Sequence, residues 1–395
     1  MAKLNEESKS WCIMFYNKKQ GILIIIDDIL PQNMSSFRNV ETLEYINKFN
    51  NIIYINISST PINKEKILDV IANKNIKFFQ TNFDDNEYEK IKIYLKHYKK
   101  KVSMITFLNN VYGFNGKVLE FLEEQRINFS FTLYPGGGFF INDETTKKLK
   151  RIFNSPMFYK VIVTQKQTYN YLKKNSLCPT EKIEFIYGLP VNSNMLKRKN
   201  NNKKFANNIF NICFVAYKYS IEGKDKGYDT FIEVAKKMKN ESNCYFHVVG
   251  NFDCNDIDIS EIKEKIKFYG VLDNDKFVEF YKDKEILLTP TRANILYKGA
   301  FDGFPTGASI DAMLNQVILL TTDPLDNNSY FENEEEIVII NNNPNDITNK
   351  IKELKNNPEK CVKISQKGKN KANILYSFKK QILPRIKIIE EMRKL

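Results

Sequence analysis

The stretch of sequence richest in groups that could do chemistry is TPTRANILYKGAFDGFPTGASIDAMLNQVILLTTDPL, residues 289–325. An apolar strand ends at Thr289-Pro290, and a loop carrying Arg292, Lys298 and Asp302 follows. Gly303-Phe304-Pro305-Thr306-Gly307 then leads into the helical pattern ASIDAML. Pro305 suits a first helical turn, because the N–H it lacks would have had no partner there. The N–H groups left free at that turn, with the helix dipole behind them, form a place for an anion. Asp311 lies farther along the helix, and its carboxylate can accept hydrogen bonds from two adjacent hydroxyls such as a ribose offers.

Three further segments carry candidate groups. In FVAYKYSIEGKDKGYDTFIEVAKKM (214–238) a strand ends, a basic loop with Lys218 and Lys226-Gly227 follows, and an amphipathic helix begins. Taken alone, Lys226 is equally a solvated lysine at a helix start. In IKFYGVLDNDKFVEFYKDKEILLTPT (266–291) the turn Tyr269-Gly270-Val271 closes a short strand, and Tyr269 is equally a half-buried strand aromatic. FTLYPGGGFF (131–140) sets Gly136, Gly137 and Gly138 after a strand, where they either let backbone approach a ligand or make a turn. No G-x-G-x-x-G occurs, so a dinucleotide fingerprint is not supported.

These segments need a scaffold, and the apolar pattern supplies one. Strands are expected at 21–27, 51–58, 76–81, 102–108, 128–134, 160–165 and 183–188, with amphipathic stretches between them. Residues 192–208, NSNMLKRKNNNKKFANN, break the rhythm and read as a linker. Strands resume at 210–216, 244–250, 266–270, 285–289, 317–322 and 336–340, with helices at 228–240 and 275–283. Strand–helix alternation argues for parallel sheets covered on both faces. The expected organisation is a first Rossmann-like domain over 1–191, the linker, a second such domain over 209–375, and a helix over 376–395 crossing back to the first. That helix is expected to be interrupted at Pro384. Two doubly wound domains of this kind would face each other across a cleft, with ligands at the carboxyl ends of the strands.

The segment 302–313 resembles the donor-site motif E-G-F-x-L-x-x-L-E-A-M of the family 4 (group 1) retaining glycosyltransferases of the GT-B fold. The resemblance is good over about 209–345 and diffuse over 21–190. Both acids here are Asp, and eight residues separate them instead of seven. The resemblance implies that Asp302 lies beside a donor sugar, that Phe304, Pro305, Thr306 and Gly307 form a backbone cradle for sugar and phosphate, and that Asp311 holds the ribose. Lys226-Gly227 matches the family's K-G. Lys218 stands in for an arginine whose place Tyr217 holds. Such cations would stabilise a departing nucleoside diphosphate, as point charges without arginine's fork. Tyr269, Gly270 and Val271 match the stretch whose backbone holds the nucleobase, and Arg292 lies on the donor loop. Gly136 to Gly138 match the acceptor side by position. The loop 30–39, LPQNMSSFRN, lacks the paired glycines of many members.

The implied activity is transfer of a sugar from a nucleoside diphosphate sugar to an acceptor hydroxyl with retention, by analogy in bacterial envelope polysaccharide or lipid-linked glycan synthesis. The implied partners are a nucleotide-sugar donor and a glycan or lipid-linked acceptor. No cofactor is implied, and GT-B enzymes generally bind no catalytic metal. The acidic pairs Asp27-Asp28 and Asp84-Asp85 are accordingly taken as strand-end loops.

Composition narrows the alternatives. The net charge of +13 suggests nucleic acid, but the lysines are scattered along the chain with many Asn and Ile, so runs such as KRKNNNKK are taken as solvated loops. The surplus lysines also suit peripheral contact with an anionic membrane surface. Six cysteines without a Cys-x-x-Cys pair, and two histidines, argue against a zinc site or a disulfide framework. No apolar run of about 18 residues occurs, and the opening MAKLNEESKSWCIMFYNKKQ has no signal-peptide core. A cytoplasmic protein, at most peripheral at the inner face of the membrane, is expected. Rival readings are a GT-B nucleotide-sugar epimerase or phosphorylase and a two-lobed binding protein. The first is disfavoured by the shortage of histidine, the last by the missing signal peptide.

Overall fold

The computed structural model describes residues 21–30, 36–59, 76–196, 204–206 and 209–395. The opening segment 1–20, the start of the 30–39 loop and most of the expected linker lie outside them. The chain divides into two compact units. The first comprises residues up to Thr164, Thr168–Ile186 and Gln381–Leu395; the second comprises Gln165–Gln167 and Tyr187–Lys380.

The first unit holds a seven-stranded sheet: β1 (Ile22–Asp27), β2 (Ile52–Asn56), β3 (Ile76–Gln80), β4 (Lys101–Thr106), β5 (Asn128–Leu133), β6 (Phe158–Val163) and β7 (Ile183–Phe185). Every pairing is parallel, in the order β3-β2-β1-β4-β5-β6-β7. β1 and β2 are buried at every position, which is why ILIIID and IIYIN read as apolar runs up to their last residue and not as alternations.

The C-terminal helix Phe378–Met392 runs straight through Pro384, contrary to the expected interruption. Proline removes one helical hydrogen bond, and burial outweighs that loss. Ile382, Ile386 and Ile389 pack with Leu23, Tyr54 and Met104 of the first unit. Arg385, wholly buried, donates to Tyr134 Oη at 3.1 Å and pairs through Nε with Glu41 at 3.3 Å.

The second unit holds six strands: β8 (Phe210–Val215), β9 (Cys244–Val249), β10 (Ile266–Phe268), β11 (Ile286–Thr289), β12 (Ile318–Thr321) and β13 (Val338–Ile339). They too are all parallel, in the order β10-β9-β8-β11-β12-β13. All the loops at their carboxyl ends therefore emerge on one edge. The strand order reverses between β8 and β11, the switch point at which such sheets open a crevice. Two helices not anticipated from the sequence, Pro344–Lys355 and Pro358–Leu375, each start with proline behind an asparagine cap.

Within the stretch read as a linker, Phe205 is buried and Lys204 is not solvated. Lys204 Nζ donates to the carbonyls of Tyr281 (2.8 Å) and Asn315 (2.9 Å), and burial lowers its pKa to about 8. Among the described residues no helix is long and apolar enough to cross a membrane.

Candidate functional site

The loops after β8 and β11 flank the switch point, and they are stitched together. Gly227, at φ +73°, caps the helix Tyr228–Lys237. A Cβ there would stand 2.1 Å from the carbonyl oxygen of Pro290, so only glycine allows this approach. Arg292 N–H donates to the carbonyl of Asp225 at 3.0 Å. Lys226 then reaches Asp302, with Nζ 2.6 Å from Oδ1 and 2.8 Å from Oδ2. A second carboxylate, Asp225, stands 3.7 Å from the same ammonium, and the Tyr219 ring lies 5.2 Å away. Burial works against the charge on Lys226, but Asp302 and Asp225 outweigh it and raise its pKa above the ordinary lysine value.

Beside this pair is a small pocket lined by Thr291, Arg292, Asp302, Gly303, Thr306 and Thr322, among others. It lies just past the carboxyl ends of β11 and β12. The helix Gly307–Leu314 starts at its wall, with Thr306 as N-cap accepting the Ser309 N–H at 3.2 Å. Pro305 therefore precedes the cap and is not in the first turn as expected, because the threonine hydroxyl supplies the start signal.

The expected cradle is also shorter than four residues. Phe304 N–H already donates to Gln165 Oε1 at 2.9 Å and Pro305 has no N–H, so donors available to an anion begin at Thr306. Asp311 sits half-buried one turn into the helix; the hydroxyl pKa of nearby Tyr281 is raised chiefly by burial, with Cys213 and Asp311 adding to it.

The other expected cations are committed elsewhere. Lys218 forms an ion pair with Asp256, and its backbone N–H is held by Asn251 Oδ1 at 2.6 Å. Arg292 donates to Asp229 Oδ2 at 2.7 Å and to Thr230 Oγ1 at 2.6 Å, clamping the start of the helix Tyr228–Lys237.

Tyr269 Oη lies 2.9 Å from His247 Nδ1, and its ring meets Phe280 edge-on at 5.1 Å. Burial lowers the His247 pKa to about 3, so this imidazole is a neutral structural group. Gly270 accepts the Gly250 N–H at 2.9 Å, and Val271 is exposed.

In the first unit, the choice for Gly137 and Gly138 falls to the turn. A Cβ on Gly137 would stand 2.2 Å from the Phe107 ring, and one on Gly138 1.8 Å from Asn109 Oδ1. They pack against their own chain, whereas a Cβ on Gly136 meets nothing within 4 Å. The acidic pairs are hydrogen-bonded within the first unit. Asp27 accepts from Arg38 (2.5 Å), Thr106 (2.5 Å) and Asn110 (3.0 Å), and Arg38 also reaches Asp28. Asp85 caps the helix Asn86–Leu95, and Asp84 pairs with Lys117.

Sequence reasoning missed Ser220, Asp225 and Gln165. Asp225 adjoins the K-G pair, and that adjacency was the signal available; the Gln165 contact spans 139 residues and leaves no local trace.

Residues 200–371 match the family model described as glycosyl transferases group 1. No curated protein matches the chain in sequence. Among solved structures, a glycosyltransferase from Rickettsia africae is similar over 95% of this chain and 99% of its own, at 16% identity and a TM-score of 0.70. Anabaena Alr3699/HepE, solved with UDP and glucose, is similar over 95% of this chain and 100% of its own, at 12% identity and a TM-score of 0.67. TarM is similar over 95% and 98%, at 13% identity and a TM-score of 0.63. The fold is the α/β GT-B architecture, with two parallel sheets of seven and six strands, and the match over 200–371 supports glycosyl transfer.

Proposed function

We propose that this chain moves a sugar from a nucleoside diphosphate sugar to an acceptor hydroxyl, with retention at the anomeric carbon and without a catalytic metal. The observation that carries the proposal is the Lys226–Asp302 pair at the β8/β11 switch point, inside the segment that matches the group 1 model. The structures of HepE with UDP-glucose support a donor of this class.

Each residue has a task that its position supports. As the bond between sugar and diphosphate breaks, negative charge grows on the leaving oxygen. Lys226, held charged by its neighbours, stabilises that charge more in the transition state than in the ground state. The N–H groups from Thr306 to Ala308 add the dipole of a helix start. Asp311 accepts from the ribose hydroxyls, and Asp302 orients the donor sugar. Positioning and charge stabilisation are then the main sources of rate. Tyr269 to Val271 supply the nucleobase edge. Lys226 is assigned the main charge at the diphosphate; Lys218 and Arg292, paired with Asp256 and Asp229, are given the lesser share, with Arg292 on the pocket wall.

The acceptor is a glycan or a lipid-linked glycan of a bacterial envelope, met by the first unit near Gly136. The lysine surplus supports peripheral contact with an anionic membrane from the cytoplasmic side. The test is incubation with a panel of sugar nucleotides and acceptors, with the anomeric configuration of the product read by NMR. A product with the donor's configuration supports the proposal; inversion contradicts retention, and sugar phosphate formed only when a glycan and inorganic phosphate are supplied together points to a phosphorylase.

A further inference from the structure

Lys226 stands between two carboxylates of unlike character. Asp302 holds it with both oxygens, but the Asp302 side chain is 28% exposed and lies on the pocket wall. Asp225 is 5% exposed. Its Oδ1 accepts from Ser220 Oγ at 2.5 Å, and its N–H donates back to the same hydroxyl at 3.1 Å. Its carbonyl takes the Arg292 N–H. Oδ2, buried, has no hydrogen-bond partner among the described residues and lies 3.7 Å from Lys226 Nζ. A buried carboxylate oxygen with no hydrogen bond is costly unless a charge compensates it, and the charge at hand is this ammonium.

We infer that Asp225 is the fixed positioning residue for Lys226, and that Asp302 is an exchangeable partner which releases the ammonium to an incoming diphosphate. The inference rests on the glycosyl-transfer reading above. Without ligand, Asp302 neutralises Lys226. A donor diphosphate takes over that contact, and Asp302 turns to the sugar. Asp225 cannot follow, because Ser220 and the Arg292 N–H tether it. It keeps the ammonium charged and in register in a site too buried to hold an isolated cation. The groups facing Lys226 are Asp302 from the loop after β11, and Asp225 and Tyr219 from its own loop.

Asp225→Asn separates charge from tether, since the amide oxygen still accepts from Ser220. Three measurements are made on the full chain: melting temperature, NMR titration of the Lys226 side chain assigned through Lys226→Ala, and steady-state kinetics with the donor found active. Asp225→Asn should keep the melting temperature and lower the Lys226 pKa. It should cut kcat by roughly ten- to a hundredfold, the cost of a misplaced catalytic group, with a much smaller change in KM. Asp225→Glu should recover part of the loss. Ser220→Ala, which keeps the charge and loses the tether, should lower kcat less and serves if Asp225→Asn does not fold. Wild-type kinetics in both variants, or a fall in kcat with the Lys226 titration unmoved, overturns the inference. The titration needs no donor. A Lys226 pKa that falls as expected, in a protein whose wild type turns over no sugar nucleotide, supports Asp225 as the anchor and contradicts the transfer reading.

Discussion

Lys226 and Asp302, 76 residues apart in the chain, meet across the point where the second sheet reverses its strand order, with the ammonium 2.6 and 2.8 Å from the two carboxylate oxygens. The contact depends on a backbone approach that only Gly227 permits. It sets an ammonium and a carboxylate side by side beside a pocket, and the predictions below follow from that placement.

Asp311→Asn should weaken binding of the nucleoside diphosphate by roughly 1.5–3 kcal/mol, the worth of a hydrogen bond to a charged group. The half-buried position on the helix Gly307–Leu314 should leave the melting temperature unchanged. Calorimetry that finds unchanged affinity removes Asp311 from the ribose.

Chelation should not stop turnover. Lys226 and the helix start are assigned the charge that a divalent ion would otherwise neutralise, so activity in EDTA should equal activity without it. Loss of activity in EDTA, restored by manganese or magnesium, would hand the diphosphate to a metal.

The first unit carries a stability prediction. Glu41 accepts from Tyr45 Oη (2.6 Å) and Tyr134 Oη (3.1 Å) and pairs with Arg385, and neither charged side chain is more than 2% exposed. Arg385→Met leaves the carboxylate buried without its cation and should cost about 3–5 kcal/mol. The double variant Glu41→Gln/Arg385→Met should recover much of that. Denaturant midpoints decide the matter, and a single variant as stable as wild type refutes the account of this helix.

His247 gives a pH dependence of known sign. Nε2 lies 2.9 Å from Asn211 Oδ1 and Nδ1 2.9 Å from Tyr269 Oη, and burial depresses the folded pKa from 6.5 to about 3. The folded state holds the neutral ring. Its contribution is complete above the unfolded value and is lost as pH falls from 6.5 towards about 3. Between neutral pH and about pH 5 the wild type should lose about 2 kcal/mol on this account. His247→Gln, with no proton to take up, should not show this loss, and parallel pH profiles for the two proteins would contradict it.

Much of this molecule is visible in its sequence, for a physical reason. Strands buried on both faces are mostly apolar, so β1, β2, β8, β11 and β12 stand out as short runs rich in Ile, Leu, Val and Phe between polar turns. Lys226 and Asp302 stand out because the residues around them resemble the K-G and donor-site motifs of a known family. What a sequence conceals is the partner. Nothing in the sequence marks Asp256, Asp229 and Asp302 as the carboxylates that the fold sets beside Lys218, Arg292 and Lys226. Lys204 looks solvated until two carbonyls claim it. Pro384 marks a break by local rules, yet the buried face of its helix overrides them. Asp225 does its work through burial, which one dimension does not record.

The most direct test is release of nucleoside diphosphate from a panel of sugar nucleotides by three proteins: wild type, Lys226→Ala and Lys224→Ala. Lys224 is the control, since its side chain is half exposed and pairs with Glu222 at 2.8 Å. The account predicts that wild type consumes at least one donor and forms a glycoside. Lys226→Ala should lower turnover by more than it raises KM for that donor, while Lys224→Ala behaves as wild type. No donor consumed by wild type, full turnover in Lys226→Ala, or greater damage from Lys224→Ala would contradict it.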